Sequence, residues 1–549
     1  MPPFALSSYS VAATQAGNPL NLIEGTFSIA RDSTNEISSV SSPSFGQLIT
    51  ASHDAAGRLT SITGSLNGNS LTTGVGFDGF GRKASVTHST GLAGSYVWDS
   101  LDRPVSITWS GHDGVTAQNI SEVLHYNTAG NITAVDRESG TLALGYDNTD
   151  QVTSSSFSAS TGTALDQYLN RVWQYDATGN RIQDSLRGAG VFKANSILSD
   201  GFATYVPDSK GFGNVVRKVA GETGRDEVFT YRTDAKISAF ARLDAANEAG
   251  NPIIAASYAY DALGRRVAKT LIPKDGVAFT QSFSHFGEED RILFGRAGNG
   301  AATCYVDGQG IDEHLGDVSS TGATAYASDH LGSLLNGAVA GSGQMFAIFG
   351  ESSSMTFDVS SATPPVLYGL AGREHDPEMR KIYMRNREQD PEAGRFLSQD
   401  PIGFEGGDYN FYRYVENSPA EWIDPWGLWQ CAPGINCDFT PAMRAALDCF
   451  DRCTHGNTAI TSGRREGGGQ HGTGQACDAN RSDNPSLSSD DAARCTRQCF
   501  PRGYGQEERN GPNSSDPNGT HFHLQLGTVP GGRPRFAPEV RPYQPSPRR

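Results

Sequence analysis

Four residues near the C-terminus have the types and spacing of a metal site. His471 and Asp478 stand seven apart across a glycine-broken turn (Gly472, Gly474) in ITSGRREGGGQHGTGQACDAN, and NGTHFHLQLG later sets His521 and His523 two apart in a short apolar run. Residues two apart on a strand share a face, so both imidazoles can enter one site. Two imidazoles and a carboxylate are what a catalytic zinc needs when its fourth position is left for water. Taken singly, each histidine reads more simply as a solvated or packing side chain; order and spacing together point to metal.

These residues belong to a segment unlike the rest of the 549-residue chain. Residues 429–549 hold seven of the eight cysteines and no lysine, and carry 14 basic and 12 acidic side chains against 30 and 48 in residues 1–428. Cys449 and Cys453, and Cys495 and Cys499, sit in helix-favouring stretches (MRAALDCFDRC, SSDDAARCTRQC), where positions i and i+4 share a face. Two antiparallel helices would let Cys449 meet Cys499 and Cys453 meet Cys495. Cys431 and Cys437 could close a short loop, leaving Cys477 over. Such bridges fit an oxidising compartment such as the periplasm and would tie down a small core; a structural zinc on the cysteine pairs and His455 is the competing reading. The tail after Gly527 is rich in Pro, Gly and Arg and is expected to be disordered at its end.

A length of 549 residues calls for at least two domains. The net charge of −16 and the lack of a dense basic patch do not favour nucleic acid as substrate. With no run of about 18 apolar residues and no basic-then-apolar start, the sequence predicts neither a membrane span nor a signal peptide. Upstream, one pattern recurs: an aromatic or His, then Asp or Asn, a small turn ending in Gly or Asp, and alternating apolar residues. It occurs at His53-Asp54, Phe77-Asp78, Trp98-Asp99, Tyr126-Asn127, Tyr146-Asp147, Tyr175-Asp176 and Tyr260-Asp261. Each copy predicts a hairpin. A lone hairpin cannot bury its face, so the copies are expected to stack into an extended, curling antiparallel sheet.

The seven copies resemble the YD repeats of Rhs proteins. YASDHLGS (Tyr326 to Ser333), YGLAGREHDPEMRKIYMRNREQDPEAGRFLSQDPIGF (Tyr368 to Phe404), NFYRYVENSP (Asn410 to Pro419) and DPWGL (Asp424 to Leu428) are similar to the Rhs core-associated region. The resemblance implies a mostly β chain: a YD-repeat sheet coiled into a shell (1–325), a core-associated region with a self-cleaving plug (326–428) and a toxin domain (429–549) held inside. It also implies cleavage between Leu428 and Trp429 by an aspartyl-protease-like pair, matched here by Asp400 and Asp424. Two carboxylates pressed together cannot both ionise easily, so one can stay protonated while the other activates water. The plainer alternative is that both aspartates simply begin Asp-Pro turns; Arg385 and Arg395 either orient them or are surface pairs.

The C-terminal segment resembles zinc D-Ala-D-Ala peptidases and murein endopeptidases. Ser462, Gly463 and Arg465 match the S-G-x-R element, His471, Gly474, Ala476 and Asp478 match H-x-x-G-x-A-x-D, and THFHLQL supplies the final strand. The resemblance implies a small α+β zinc peptidase domain with Zn2+ on His471, Asp478 and His523, and with His521 or Asp516 as general base. Arg465 is either a surface charge or the group that grips a peptide carboxylate or oxyanion. The expected function is an Rhs-type antibacterial toxin that hydrolyses peptidoglycan stem peptides or cross-links in the target periplasm. Its expected partners are a cognate immunity protein and a secretion apparatus of the type VI kind with its spike or adaptor. A metal-dependent nuclease and a non-enzymatic surface adhesin are the rival readings.

Overall fold

The computed structural model describes residues 8–428, with short interruptions before residue 36 and chiefly at 160–164, 220–224, 244–251, 337–345, 353–359 and 404–407, and, beyond Leu428, three strands as backbone. A sixteen-stranded antiparallel sheet runs from Ser8–Val11 to Gly188–Ala189, and a thirteen-stranded one from Val191–Lys193 to Gly322–Ala325. Apart from a small ribbon at Thr14–Gln15 and Asn18–Pro19, each strand pairs with its neighbour in sequence. The only α-helix among the described residues is the four-residue Asp166–Leu169, and no helix there is long and apolar enough to cross a membrane.

The repeated dipeptide builds the same turn each time. In the copy at Asp54, the Asp54 N–H donates to the Arg58 carbonyl (2.9 Å), the Gly57 N–H donates to the Asp54 carbonyl (2.9 Å), and Asp54 Oδ1 accepts the N–H groups of Ala56 and Arg58. The second carboxylate oxygen pairs with the Arg58 guanidinium at 2.8 Å. The fourth position requires positive φ, so it is glycine at 57, 81, 130, 179 and 264, or aspartate at 102 and 150. A bulge precedes each aromatic, as between Val97 and Trp98 or Gly145 and Tyr146, which twists the strand into the turn.

The aromatic residue sets the spacing between copies. The Tyr126, Tyr146, Tyr175 and Tyr260 hydroxyls donate to the carbonyls of Pro104, Ile132, Val152 and Ile237 at 2.7–2.8 Å, and Trp98 Nε1 donates to the Lys83 carbonyl at 2.7 Å. Each acceptor is the first residue after the preceding turn. In these five copies one ring therefore fastens the hairpin to the one before it.

The two sheets meet. Phe27, Leu48, Leu71, Val86 and Trp109 of the first share one core with Phe294, Val306, Leu315 and Val318 of the second, each side chain contributing roughly 1.5–3 kcal/mol by burial. Along this seam the Leu59 N–H donates to Gln309 Oε1 (2.6 Å), Gln309 Nε2 donates to the Gly57 carbonyl (2.9 Å), and Asn69 Nδ2 donates to the Ser319 carbonyl (2.9 Å).

The segment that follows packs against both sheets, Met379, Ala393 and Leu397 into one core and Ala347 and Ala420 into another. Buried ion pairs position it: Lys218 with Asp390 and Glu392, and Arg266 with Asp376 and Glu374, at 2.6–2.9 Å. Burying such charges yields little net stability, but removing one partner strands the other. The pairs therefore specify a docking position.

Candidate functional site

Four short strands, Glu374–Asp376, Lys381–Met384, Arg387–Asp390 and Arg395–Phe396, form an antiparallel sheet around the DPWGL sequence. The turn between the middle pair places Arg385 at φ 57°, a strained conformation for a side chain with a Cβ. Its guanidinium is held in place by Asp312 (2.6 Å), by the Pro425 carbonyl and by the face of Trp426 (4.6 Å). Asn386 donates from Nδ2 to the Trp426 carbonyl at 2.9 Å. Gly427 takes φ 65°, and a Cβ there would lie 2.6 Å from the Met384 carbonyl oxygen. The glycine is needed for close approach as well as for the turn.

Asp400 and Asp424 come together on one cation. Arg387 Nη2 lies 3.0 Å from Asp400 Oδ2 and 3.2 Å from Asp424 Oδ2, with all three side chains buried. Each aspartate uses its other oxygen locally: Asp400 Oδ1 accepts the Ile402 N–H, and Asp424 Oδ1 accepts the Leu428 N–H, both at 3.0 Å. The turn reading and the paired-carboxylate reading thus describe different oxygens of the same groups. Arg387 also donates to the Gly427 and Phe411 carbonyls and lies 3.6 Å over the Phe396 ring. A guanidinium between two carboxylates offsets their repulsion, and the amide adjoining the Leu428 carbonyl is anchored to one of them.

Arg387 is the residue that sequence reasoning missed. Arg385 turns to Asp312 and Pro425, and Arg395 donates to the Asn195 carbonyl beside the Phe192 and Tyr412 rings. Both arginines stand in the R-x-R of residues 385–387, but Arg385 lies in the turn and Arg387 opens the next strand, which sends the two side chains to different neighbours.

Beyond Leu428, Thr520–Gln525 is the central strand between Ala476–Asn480 and Tyr504–Arg509. The backbone register sets Asp478 directly across from His523 and sets Asn480 and Glu508 across from His521. By strand alternation Asp478, His521, His523 and Glu508 share a face of this sheet; Glu508 was not among the sequence candidates. His471, Arg465 and Asp516 lie outside the described residues, as do the two expected helices and every C-terminal cysteine except Cys477, which is described as backbone alone. Among the described residues, no group of three or more His, Cys, Asp or Glu is placed to hold a metal ion.

No protein-family model matches the chain. In sequence it is similar to double-stranded DNA deaminase toxin A of Burkholderia cenocepacia (29% identity over 282 residues, 46% of this chain and 19% of that protein) and to the probable deoxyribonuclease RhsA of Dickeya dadantii (26% over 389 residues, 66% and 25%). It is also similar to toxin protein Tse5 of Pseudomonas aeruginosa (26% over 319 residues, 47% and 23%). The chain spans about a fifth to a quarter of the length of these curated relatives. In structure it is similar to the Photorhabdus luminescens Tc holotoxin pore bearing a TccC3 mutation (TM-score 0.57, 16% identity, 74% of this chain and 21% of that one) and to TcdB2-TccC3 (TM-score 0.54, 15%, 74% and 22%). In sequence the described residues are thus similar to these toxins, and in fold to TcdB2-TccC3.

Proposed function

We propose that this chain is an Rhs-type toxin whose shell carries the segment after Leu428 as an enzymatic cargo and frees it by cutting the Leu428–Trp429 peptide. The observation that carries the reading is the single Arg387 nitrogen between Asp400 and Asp424, with the Leu428 amide on Asp424. One of the two carboxylates takes a proton from water while the other supplies one to the leaving nitrogen. Denaturing gels of the purified chain test this: two bands are expected from the native sequence and one from Asp424→Asn.

For the cargo, the reading is a zinc-dependent peptidase that acts on peptidoglycan stem peptides in the target periplasm. The order of Arg465, His471, Asp478, His521 and His523 supports it, as does the backbone register of Asp478 with His523. His471, Asp478 and His523 would hold the zinc, which when bound supplies a Lewis acid and an acidified water. Arg465 would grip the peptide carboxylate or oxyanion, and His521, Asp516 or Glu508 would take the proton. An immunity protein and a type VI-like delivery apparatus with its spike or adaptor are the expected partners.

A nuclease cargo is the rival reading, and it fits better than a peptidase with the relatives named as a probable deoxyribonuclease and a tRNA nuclease. The same histidines would then serve a phosphodiester metal site. Incubating the cleaved protein with purified peptidoglycan, DNA and RNA, with and without chelator, separates the two: muropeptide fragments support the first and shortened nucleic acid the second.

A further inference from the structure

We propose that a buried basic pocket beside Leu428 binds the carboxylate that self-cleavage creates there, so that the cut end stays docked on the shell. The inference rests on the self-cleavage reading. Hydrolysis adds the oxygen of water to the Leu428 carbonyl carbon, breaks the bond to the Trp429 nitrogen, which gains a proton, and leaves a carboxylate on Leu428 at neutral pH.

A cavity of about 100 Å3 opens at this point, lined by Leu428 and Trp426 and by Lys236, His285, Arg266 and Arg385. Two carboxylates also line it, Asp290 and Glu374, the latter paired with Arg266 at 2.7 Å. Arg266 is held further by Asp376, and Arg385 by Asp312. Lys236 differs from both.

In the regular turns, the cation at the fifth position is neutralised by the aspartate at the first, as in Asp54–Arg58, Asp78–Arg82, Asp99–Arg103 and Asp261–Arg265. The turn from Arg232 to Lys236 keeps the backbone bonds, with the Arg232 N–H donating to the Lys236 carbonyl at 2.9 Å, but arginine replaces the aspartate. Lys236 is 8% exposed and makes no ion pair among the described residues. Its ammonium donates to the Gly264 carbonyl at 2.6 Å, leaving its other N–H groups to be met from the cavity. His285 is 6% exposed, lines the same space, and its Nδ1 has no partner.

A buried cation with no ion-pair partner in contact is unfavourable; burial pushes the Lys236 ammonium below its ordinary range, against the opposing pull of the Asp234, Asp290 and Glu388 carboxylates. A terminal carboxylate offers two acceptor oxygens, and cleavage places one on a residue already at the cavity wall. Held there, it would keep Pro425 and Trp426 on Arg385 and Asn386 after the covalent link to the cargo is gone.

The test uses the full chain, cleaved and kept native, treated with a carboxypeptidase that removes C-terminal leucine, with the shell fragment weighed by mass spectrometry. Leu428 should be retained in the native sequence and trimmed about tenfold faster in Lys236→Met, the loss of one charge-assisted hydrogen bond. Arg232→Asp, at an exposed position, restores the usual pair, draws Lys236 out of the pocket, and should speed trimming similarly without touching the lysine; it decides the matter if Lys236→Met fails to fold. Trimming at the native rate in a cleaved, folded variant overturns the inference and leaves self-cleavage standing. A native chain that runs as a single band removes both.

Discussion

Arg387 holds Asp400 at 3.0 Å and Asp424 at 3.2 Å through the same guanidinium nitrogen. Two positions 24 apart in sequence thereby become one chemical unit. Asp400→Asn and Asp424→Asn should each slow release of the cargo by about a hundredfold or more, a typical contribution of a positioned acid or base, read as band ratios over time. Arg387→Ala should also block release, and because it leaves two buried carboxylates uncompensated it should destabilise the shell by about 3–5 kcal/mol in urea titrations.

The turn aspartates give a second expectation. Burial pushes the Asp99 carboxyl up, but the backbone N–H and guanidinium of Arg103 outweigh it and hold the group below its ordinary range. A carboxylate shifted down lends stability above its unfolded pKa of about 3.9 and loses it as pH falls through the lower folded value. Asp99→Ala should lower stability by about 1–2 kcal/mol at pH 7, and the difference from the native chain should shrink below pH 4.

Glu388 has the opposite sign. Burial, with the Asp376 charge adding to it, pushes this carboxyl up to about 8 against the pull of Arg266 and Lys236, and its Oε2 has no partner. The stability it lends is complete below the unfolded pKa and is lost as pH rises toward 8. Glu388→Gln should therefore match the native chain near pH 4 and exceed it by about 2 kcal/mol or more at pH 8, measured by denaturant midpoints at the two pH values.

Removing one hydroxyl tests the fastening between repeats. Tyr175→Phe leaves the ring and deletes the bond to the Val152 carbonyl, which should lower stability by about 1 kcal/mol. Hydrogen exchange should quicken around 147–152 more than in distant hairpins.

For the cargo, chelation should abolish hydrolysis by the released segment, and added Zn2+ should restore it. His471→Ala, Asp478→Ala and His523→Ala should each lose both bound zinc and activity. Glu508→Gln, if that residue is the base, should lose activity while keeping the metal.

The regular repeats were legible because Asp54, Asp78, Asp99, Asp147, Asp176 and Asp261, with Asn127, write their turn into the side chain. The same backbone turn also forms at Arg232–Lys236 and Ala297–Ala301, where no carboxylate at the first position announces it; there, backbone bonds and packing against neighbouring strands replace the Asx contacts. Asp400 and Asp424 were legible as candidates, but their shared cation was not, since Arg387 meets them only once the four short strands have folded back. The face shared by Asp478 and His523 depends on strand register, which the H-x-H spacing supplies for one strand and not for its partner.

The seam joining Gly57 and Leu59 to Gln309, and Asn69 to Ser319, spans some 250 residues and so dictates an order of events during synthesis. The strands holding Leu59 and Asn69 leave the ribosome long before their seam partners Gln309 and Ser319 exist, and the residues after Leu428 follow both. At roughly 5–20 residues per second, the chain from Ser319 to Leu428 needs on the order of 5–20 s to appear. The seam can thus pair before the residues after Leu428 are made, and under the proposed function that interval would separate closure of the sheets from synthesis of the cargo.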